Sequence, residues 1–364
     1  MEQKRLGDLA TYINGYAFKP EDRGKEGLPI IRIQDLTGNT YDLGFYNGDY
    51  PEKIEINDGD ILITWSASLG VYIWNRGKAL LNQHIFKVVF DKEEVNKQYF
   101  VFAVKYNLKE MGTKAHGATM KHIVKKDFDN TLVPFPTIEK QDVIAEILSK
   151  AAYIVDARKQ ELQKLDDLVR ARFVELFGDE NNSKNWSIVH IEDVADVQVG
   201  VVIKPSQYYT DESNGIKAFR SLNVGAGFIK DSDWVYFTAE GHQKNSKSIL
   251  RENDLLIVRS GAPGTACVVT EDYVGCNAID IIIAHPDCEK VNPYYLCTFT
   301  NMPHGKKQIV EGTGGAAQQH FNVGKYNKLQ LMLPPKELQD KFVEFINQIA
   351  KSKAAVQKAL DQTQ

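Results

Sequence analysis

The chain has 364 residues, of which 43% are hydrophobic and 25% charged, with a formal net charge of −4 at pH 7. That length exceeds one compact core and fits two domains plus connecting elements. The apolar runs, such as Ile61-Leu62-Ile63 and Ile279 to Ala284, fall far short of the ~20 residues of a membrane-spanning helix, and the charge balance taken alone argues against a nucleic-acid binder.

In chain order, Met1-Glu2-Gln3-Lys4-Arg5 leads into no apolar segment, so no signal peptide is expected and the chain reads as cytoplasmic. A turn signal at Asn57-Asp58-Gly59 precedes the β-rich run after Asp60, and Val88-Val89-Phe90 reads as a second strand. Val95–Met111 reads as a helix. Between Lys97 and Lys126 lie Lys97, Lys105, Lys109, Lys114, Lys121, Lys125 and Lys126 against Glu110 alone. Such a strip can neutralise a few phosphates on an otherwise balanced domain, although a solvated helix face reads the same way.

After Pro136 the apolar period changes from two to about three and a half. Ile144, Leu148, Ala151, Val155, Arg158, Leu162, Leu165, Val169, Arg172 and Leu176 alternate steps of four and three, a coiled-coil seam with two arginine interruptions. Gly178 stops it. Further on, the run after Asp254 and Ile281-Ile282-Ile283 read as strands, and Asn292–Gly312 as a helix. The stretch Tyr295–Lys328 carries Lys306, Lys307, Lys325 and Lys328 against Glu311. A second seam follows at Leu338, Phe342, Phe345, Ile349, Ser352, Val356 and Leu360. The two stripes would cover each other if the helices pack antiparallel within one chain. Packing of each helix on its own module, or homodimerisation, stays open.

The pattern is a duplication. Leu6-Gly7-Asp8-Leu9-Ala10, Gly15 and Lys19-Pro20 match Ile191-Glu192-Asp193-Val194-Ala195, Gly200 and Lys204-Pro205. Arg32 to Leu36 matches Arg220 to Val224, and Gly59–Ile63 with Ser66 and Gly70 matches Asn253–Ile257 with Ser260 and Gly264. Asn82 falls opposite Asn277, and Gly117-Ala118 with His122 opposite Gly315-Ala316 with His320. Pro136, Glu139, Gln141, Ile144 and Ile147 match Pro334, Glu337, Gln339, Phe342 and Phe345. The offset grows only from 185 (Leu6 to Ile191) to 198 (Pro136 to Pro334). Short strands with a helix near the end of each repeat suggest a twisted β-rich module of mixed α/β character, not a doubly wound parallel sheet.

Catalytic constellations are missing from the pattern. There is no GxxxxGK[ST] loop, no GxSxG elbow and no HExxH. The four cysteines (Cys267, Cys276, Cys288, Cys297) have neither CxxC spacing nor paired histidines, so structural thiols and no metal are expected. Asn292-Pro293-Tyr294-Tyr295 superficially resembles a base-holding methyltransferase motif, but reads better as an N-capped helix start with proline at its first position.

The doubled Leu-x-Asp-Leu-Ala…Gly…Lys-Pro start, the doubled strand before a Ser/Gly loop (Trp65–Gly70; Arg259–Gly264) and the doubled Pro-x-x-Glu-x-Gln helix start (Pro136–Gln141; Pro334–Gln339) resemble the specificity subunit of type I restriction–modification systems. The resemblance covers nearly the whole chain. It implies an α+β architecture of two tandem mixed α/β target-recognition domains separated by a pair of long antiparallel coiled-coil helices, a pseudo-two-fold internal repeat. The expected boundaries are 1–136 and 181–335 for the domains, and 137–180 and 336–364 for the helices. It also implies a non-catalytic subunit without a cofactor of its own. Double-stranded DNA with a bipartite site and two adenine-methylating modification subunits would be its partners, with an ATP-dependent restriction subunit as an optional addition and no membrane. Alternatives are the recognition subunit of a fused restriction–methyltransferase system, a stand-alone adenine methyltransferase, and a protein-binding scaffold.

Base identity must come from side chains at groove edges, arginine favouring guanine and asparagine or glutamine favouring adenine. In the first module the candidates are Lys19, Arg32, Gln34, Trp65, Ser66, Gln83, His84, Lys114, Lys121 and His122. In the second they are Lys204, Arg220, Asn223, Arg259, Ser260, Gln318, Gln319, His320 and Lys325. Positions alike in both (Lys19/Lys204, Arg32/Arg220, Ser66/Ser260, His122/His320) fit phosphate contacts or shared architecture. Positions that differ (Trp65/Arg259, Met120/Gln318, Lys121/Gln319) fit the reading of different sequences.

Overall fold

A computed structural model of the chain describes residues 2–38, 43–66, 68–113, 123–313 and 321–363. Two compact units emerge, Met1–Asp156 and Ala157–Gln362, and the division falls inside one long helix.

The first unit contains β1 (Gln3–Arg5), α1 (Leu6–Leu9), β2 (Thr11–Asn14), β3 (Leu28–Ile31), α2 (Ile33–Thr37), β4 (Phe45–Tyr46), β5 (Glu55–Ile56), β6 (Ile61–Thr64), β7 (Gly70–Ile73), β8 (Ala79–Leu81), β9 (Ile85–Val89), α3 (Lys97–Thr113), α4 (Lys125–Asp129) and β10 (Leu132–Pro134). They form one sheet of order β2-β9-β6-β7, another of order β4-β3-β8-β5, and the ribbon β1-β10. Pairing is antiparallel except for β3 with β8. Strand β6 shows why its sequence is apolar throughout. Successive side chains point to opposite faces: Ile61 and Ile63 join the core beneath α3 with Phe100 and Val104, while Leu62 joins the core of the second sheet with Ile30, Ile56 and Leu80. Each such burial contributes about 1.5–3 kcal/mol.

From Ile138 to Phe177 runs α5, 40 residues and about 60 Å at 1.5 Å per residue. It ends at Gly178, whose φ of 89° suits glycine and whose N–H bonds the Val174 carbonyl.

The second unit contains the C-terminal part of α5, β11 (Ser187–His190), β12 (Ala195–Val199), β13 (Tyr209–Thr210), β14 (Ile216–Phe219), β15 (Val235–Phe237), α6 (Ala239–Lys244), β16 (Leu255–Val258), β17 (Ala266–Val268), β18 (Asn277–Ala278), β19 (Ile281–Pro286), α7 (Pro293–Asn301), α8 (Pro303–Thr313), α9 (Val323–Asn327), β20 (Gln330–Leu333) and α10 (Lys336–Asp361). Its sheets have the orders β12-β19-β16-β17 and β13-β15-β14-β18, with the ribbon β11-β20. Most of this repeats the first unit: β12, β19, β16 and β17 stand for β2, β9, β6 and β7, and β15-β14-β18 for β4-β3-β8 with the same parallel pair. By contrast, β13 is added beyond β15, and an isolated bridge of Ile249 with Asn277 stands where β5 pairs in the first unit. The β-rich module of mixed α/β character expected from the sequence is present in both units, built from two mainly antiparallel sheets.

Three details correct the sequence reading. Leu80 pairs with Ile30 and Asn277 with the matching Ala218, so Leu80, not Asn82, lies opposite Asn277; Asn82 corresponds to Ile279. The helix expected over Asn292–Gly312 breaks at Met302, where Pro303 lacks an N–H and forces the preceding residue to extend (φ −74°, ψ 162°). Ser352 of the second seam is exposed, and Lys353 takes its place among the half-buried residues.

Within the second unit α5 and α10 run antiparallel. Asp166 pairs with Lys353, Arg172 lies 5.8 Å over the Phe345 ring, and Phe173 and Phe177 meet Phe342 at 5.6 and 5.3 Å. Partners fall along α10 as they rise along α5. Of the predicted α5 seam, every residue except Leu148 is half-buried.

The doubled Pro-x-x-Glu-x-Gln start has a mechanical purpose. Gln141, fully buried, donates to the Pro136 carbonyl (2.9 Å) and accepts from the Asn96 N–H (3.0 Å) ahead of α3. Gln339 does the same with Pro334 (2.9 Å) and Asn292 (2.8 Å). Asn96 and Asn292 then bond Asp142 and Asp340, both one residue beyond the glutamine. Each long helix is therefore tied to the N-terminus of the helix in its own module, and Asn292 caps α7 with Pro293 at its first position. Among the described residues no helix is long and apolar enough to cross a membrane.

Candidate nucleic-acid interface

Three loops of the first unit meet at one end of its β2-β9-β6-β7 sheet. The chain leaving β2 passes so close to the β8–β9 turn that a Cβ on Gly15 would sit 2.1 Å from the Asn82 carbonyl; only glycine allows that approach. Tyr16 donates its N–H to Leu81 (2.8 Å) and accepts from Gln83 (2.9 Å). The residue after β6, Trp65, donates its N–H to the His84 carbonyl (3.3 Å) and accepts from Ile123 (3.0 Å). Its indole stacks on Phe86 at 5.7 Å, meets the His84 ring edge-on at 4.9 Å, and donates to Asn14 Oδ1 at 3.2 Å. His84 holds a left-handed φ of 73°.

The second unit repeats this backbone. A Cβ on Gly200 would lie 2.3 Å from the Ala278 carbonyl, Val201 bonds Ala278 (2.8 Å), and Asp280 donates its N–H to Val201 (3.1 Å). Phe321 donates its N–H to the Arg259 carbonyl (3.2 Å), as Ile123 does to Trp65. Asp280 holds a φ of 50° at the position of His84. The side chains differ: Arg259 pairs through Nη1 with Asp280 and donates through Nε to the Phe321 carbonyl at 3.2 Å.

The structure sorts the remaining candidates. Lys19, Gln34, Gln83 and Lys204 are exposed. Arg32 and Arg220 are half-buried and build turns: each donates its backbone N–H to a residue three further on, Asp35 (2.8 Å) or Asn223 (2.9 Å), and Arg220 also bonds the Asp233 carbonyl. Asn223 leaves the candidate set, because it is 0% exposed and its amide is spent on the Ser232 carbonyl (2.7 Å). Ser66 is buried, and Ser260 and Lys325 are half-buried with partners of their own. Lys114, Lys121, His122, Gln318, Gln319 and His320, with Met120, lie outside the described residues.

The basic strip of the second module is partly engaged within the unit. Lys306 is half-buried against the Pro263 carbonyl (3.3 Å) and Thr265 Oγ1 (3.4 Å), and burial pulls its pKa down. Lys307 pairs with Glu180 and Lys328 with Glu192. The sequence reading missed Asp280, Asn14 and Tyr16. Asp280 was hidden by a one-residue gap between β8 and β9 relative to β18 and β19, which set it out of line with His84. A further difference is apolar: Phe18 is 5% exposed, whereas Ile203, at the matching position, is 79% exposed beside half-exposed Val202. Among the described residues no group of three His, Cys, Asp or Glu side chains is placed to hold a metal.

A family model described as the type I restriction modification DNA specificity domain matches residues 1–166 and again residues 183–363. The chain belongs to that family. Specificity subunits among its relatives include that of the Escherichia coli type I restriction enzyme EcoBI, 24% identical over 94% of this chain and 78% of the relative. That of Methanocaldococcus jannaschii MjaVIII is 24% identical over 70% of this chain and 63% of the relative. The S subunit of the M. genitalium type I system shares the fold, with a TM-score of 0.59 at 15% identity over all of this chain and 92% of the other. A chain from a structure of type I system assembly and conformational transition matches with a TM-score of 0.56 at 16% identity, over 100% and 93%. The repeated matches fall on the repeated modules, so this specificity protein carries the family's domain twice.

Proposed function

We propose that the chain is the non-catalytic DNA-specificity subunit of a type I restriction–modification complex, each module reading one half of a bipartite site. What carries the reading is the loop cluster built twice on one backbone and filled with different side chains, Trp65 with His84 and Arg259 with Asp280. A shared scaffold with divergent tips is what two different DNA sequences require, since phosphate contacts position a protein and base contacts specify it. The paired helices α5 and α10 then act as a spacer that fixes the distance between half-sites, as dimer geometry does in other DNA readers. They also offer a docking surface to two modification subunits, which bring S-adenosylmethionine and methylate adenine; a restriction subunit adds ATP-dependent cleavage. Lys19 and Lys204 supply phosphate contacts, and Gln34 and Gln83 are further base-reading candidates. The six candidates in 114–122 and 318–320 remain proposals of the same kind.

The test is Arg259→Ala in the assembled complex. The expected result is relaxed specificity in one half-site only, at a cost of about 1–3 kcal/mol. Uniform weakening on all sequences would make Arg259 a phosphate contact and overturn its reading role.

A further inference from the structure

We infer that Asp280 is a positioning residue for sequence reading: its carboxylate fixes the Arg259 guanidinium so that its remaining donors face a guanine in the half-site of the second module. The inference rests on the proposed DNA-reading role and adds a residue and a mechanism to it.

Arg259 is only 15% exposed in its side chain, whereas Asp280 is 41% exposed. Two guanidinium donors are committed, Nε to the Phe321 carbonyl and one Nη1 hydrogen to Asp280. One Nη1 hydrogen and the two on Nη2 remain, and a guanidinium giving one donor from each of two nitrogens matches the N7 and O6 acceptors of guanine in the major groove. A free arginine must give up rotamer freedom to adopt that geometry, and one already held loses less. The holder is itself rigid. Asp280 sits at φ 50°, a conformation rare outside glycine but tolerated by aspartate, with its N–H bonded to Val201 and β19 starting at the next residue.

A structural ion pair would explain the contact equally well were it not for the first unit. There the same backbone slot, again left-handed, holds His84 against Trp65. The two positions have changed together, from aromatic pair to ion pair, while the closing backbone bonds from Ile123 and Phe321 stayed the same.

The experiment uses the full chain assembled with its modification subunits and a duplex library with two randomised half-sites at varied spacing. Wild type, Asp280→Ala, Asp280→Glu, Arg259→Ala and the double variant Arg259→Ala/Asp280→Ala are compared by enrichment. Asp280→Ala should keep the first half-site and lose about tenfold or more of the discrimination at one position of the second, and Asp280→Glu should recover part of it. The double variant should match Arg259→Ala, because a residue acting only through another adds nothing once that one is gone. The inference is overturned if Asp280→Ala selects both half-sites as wild type does, if it weakens both equally, or if its loss adds to that of Arg259→Ala. A wild-type complex that selects no two-part site would instead overturn the proposed function.

Discussion

In the first unit the slot after the central strand holds an indole stacked on Phe86 and edged by His84; in the second it holds a guanidinium tied to Asp280. Behind both slots the construction is the same. Gly15 and Gly200 let two loops touch, and Ile123 and Phe321 close the loop from the far side through equivalent backbone bonds. Gln141 and Gln339 anchor the long helices in the same way. The difference teaches that duplication preserved whatever holds the backbone and released the side chains at one end of the sheet. Not every difference lies at that end. The helix that is continuous as α3 is broken into α7 and α8 by Pro303, and all four cysteines lie in the second unit.

The comparison can be broken hardest at the long helices. Phe342 is fully buried among Phe173 and Phe177, whereas its counterpart Ile144 is only half-buried. Phe342→Ala should lower stability by about 3–5 kcal/mol and Ile144→Ala by roughly 1–2 kcal/mol. Denaturant unfolding of both variants checks this, and equal losses would show that the two helix starts are packed alike. The glutamines should behave oppositely, as equals. Gln141→Ala and Gln339→Ala each strand a backbone N–H and a carbonyl, at about 1–3 kcal/mol apiece. A glutamine that could be removed freely in one module would end the claim of a shared anchor.

The smallest effect sharpens the comparison by reporting on one unit alone. Burial pushes the Cys276 thiol up to about 11 and Cys297 up to about 12, and raises Cys267 further, while Cys288 is exposed and less affected. A raised thiol pKa means less thiolate at pH 8, and the thiolate is the reactive form. Native protein should thus show one fast-reacting thiol with a disulfide reagent at pH 8 and four after denaturation. Two or more fast thiols in the native protein would mean that the second unit opens on its own.

Much of the fold was legible because it is written in periods. The continuous apolar runs of β6 and β16 mark strands buried on both faces, and the alternating steps of four and three mark α5. Asn292-Pro293 was readable as a helix start because capping is local chemistry. The site was less legible. Asn223 looked like a base reader by residue type, but its place three residues after Arg220 makes it a turn cap. Asp280 escaped notice because its partner Arg259 lies 21 residues away, across β17 and β18, and a one-residue gap hid its match to His84. Ion pairs across loops leave no period to find.

One backbone used twice to read two different half-sites at a fixed spacing is most directly tested by mapping N6-methyladenine across the source genome with and without this gene. The map should then be repeated with seven residues inserted near Lys164 and seven at the matching level of α10. The account predicts a two-part methylated motif that vanishes without the gene. It also predicts unchanged half-sites with a longer gap after the insertion. A continuous motif, or a spacer that ignores the added turns, would contradict it.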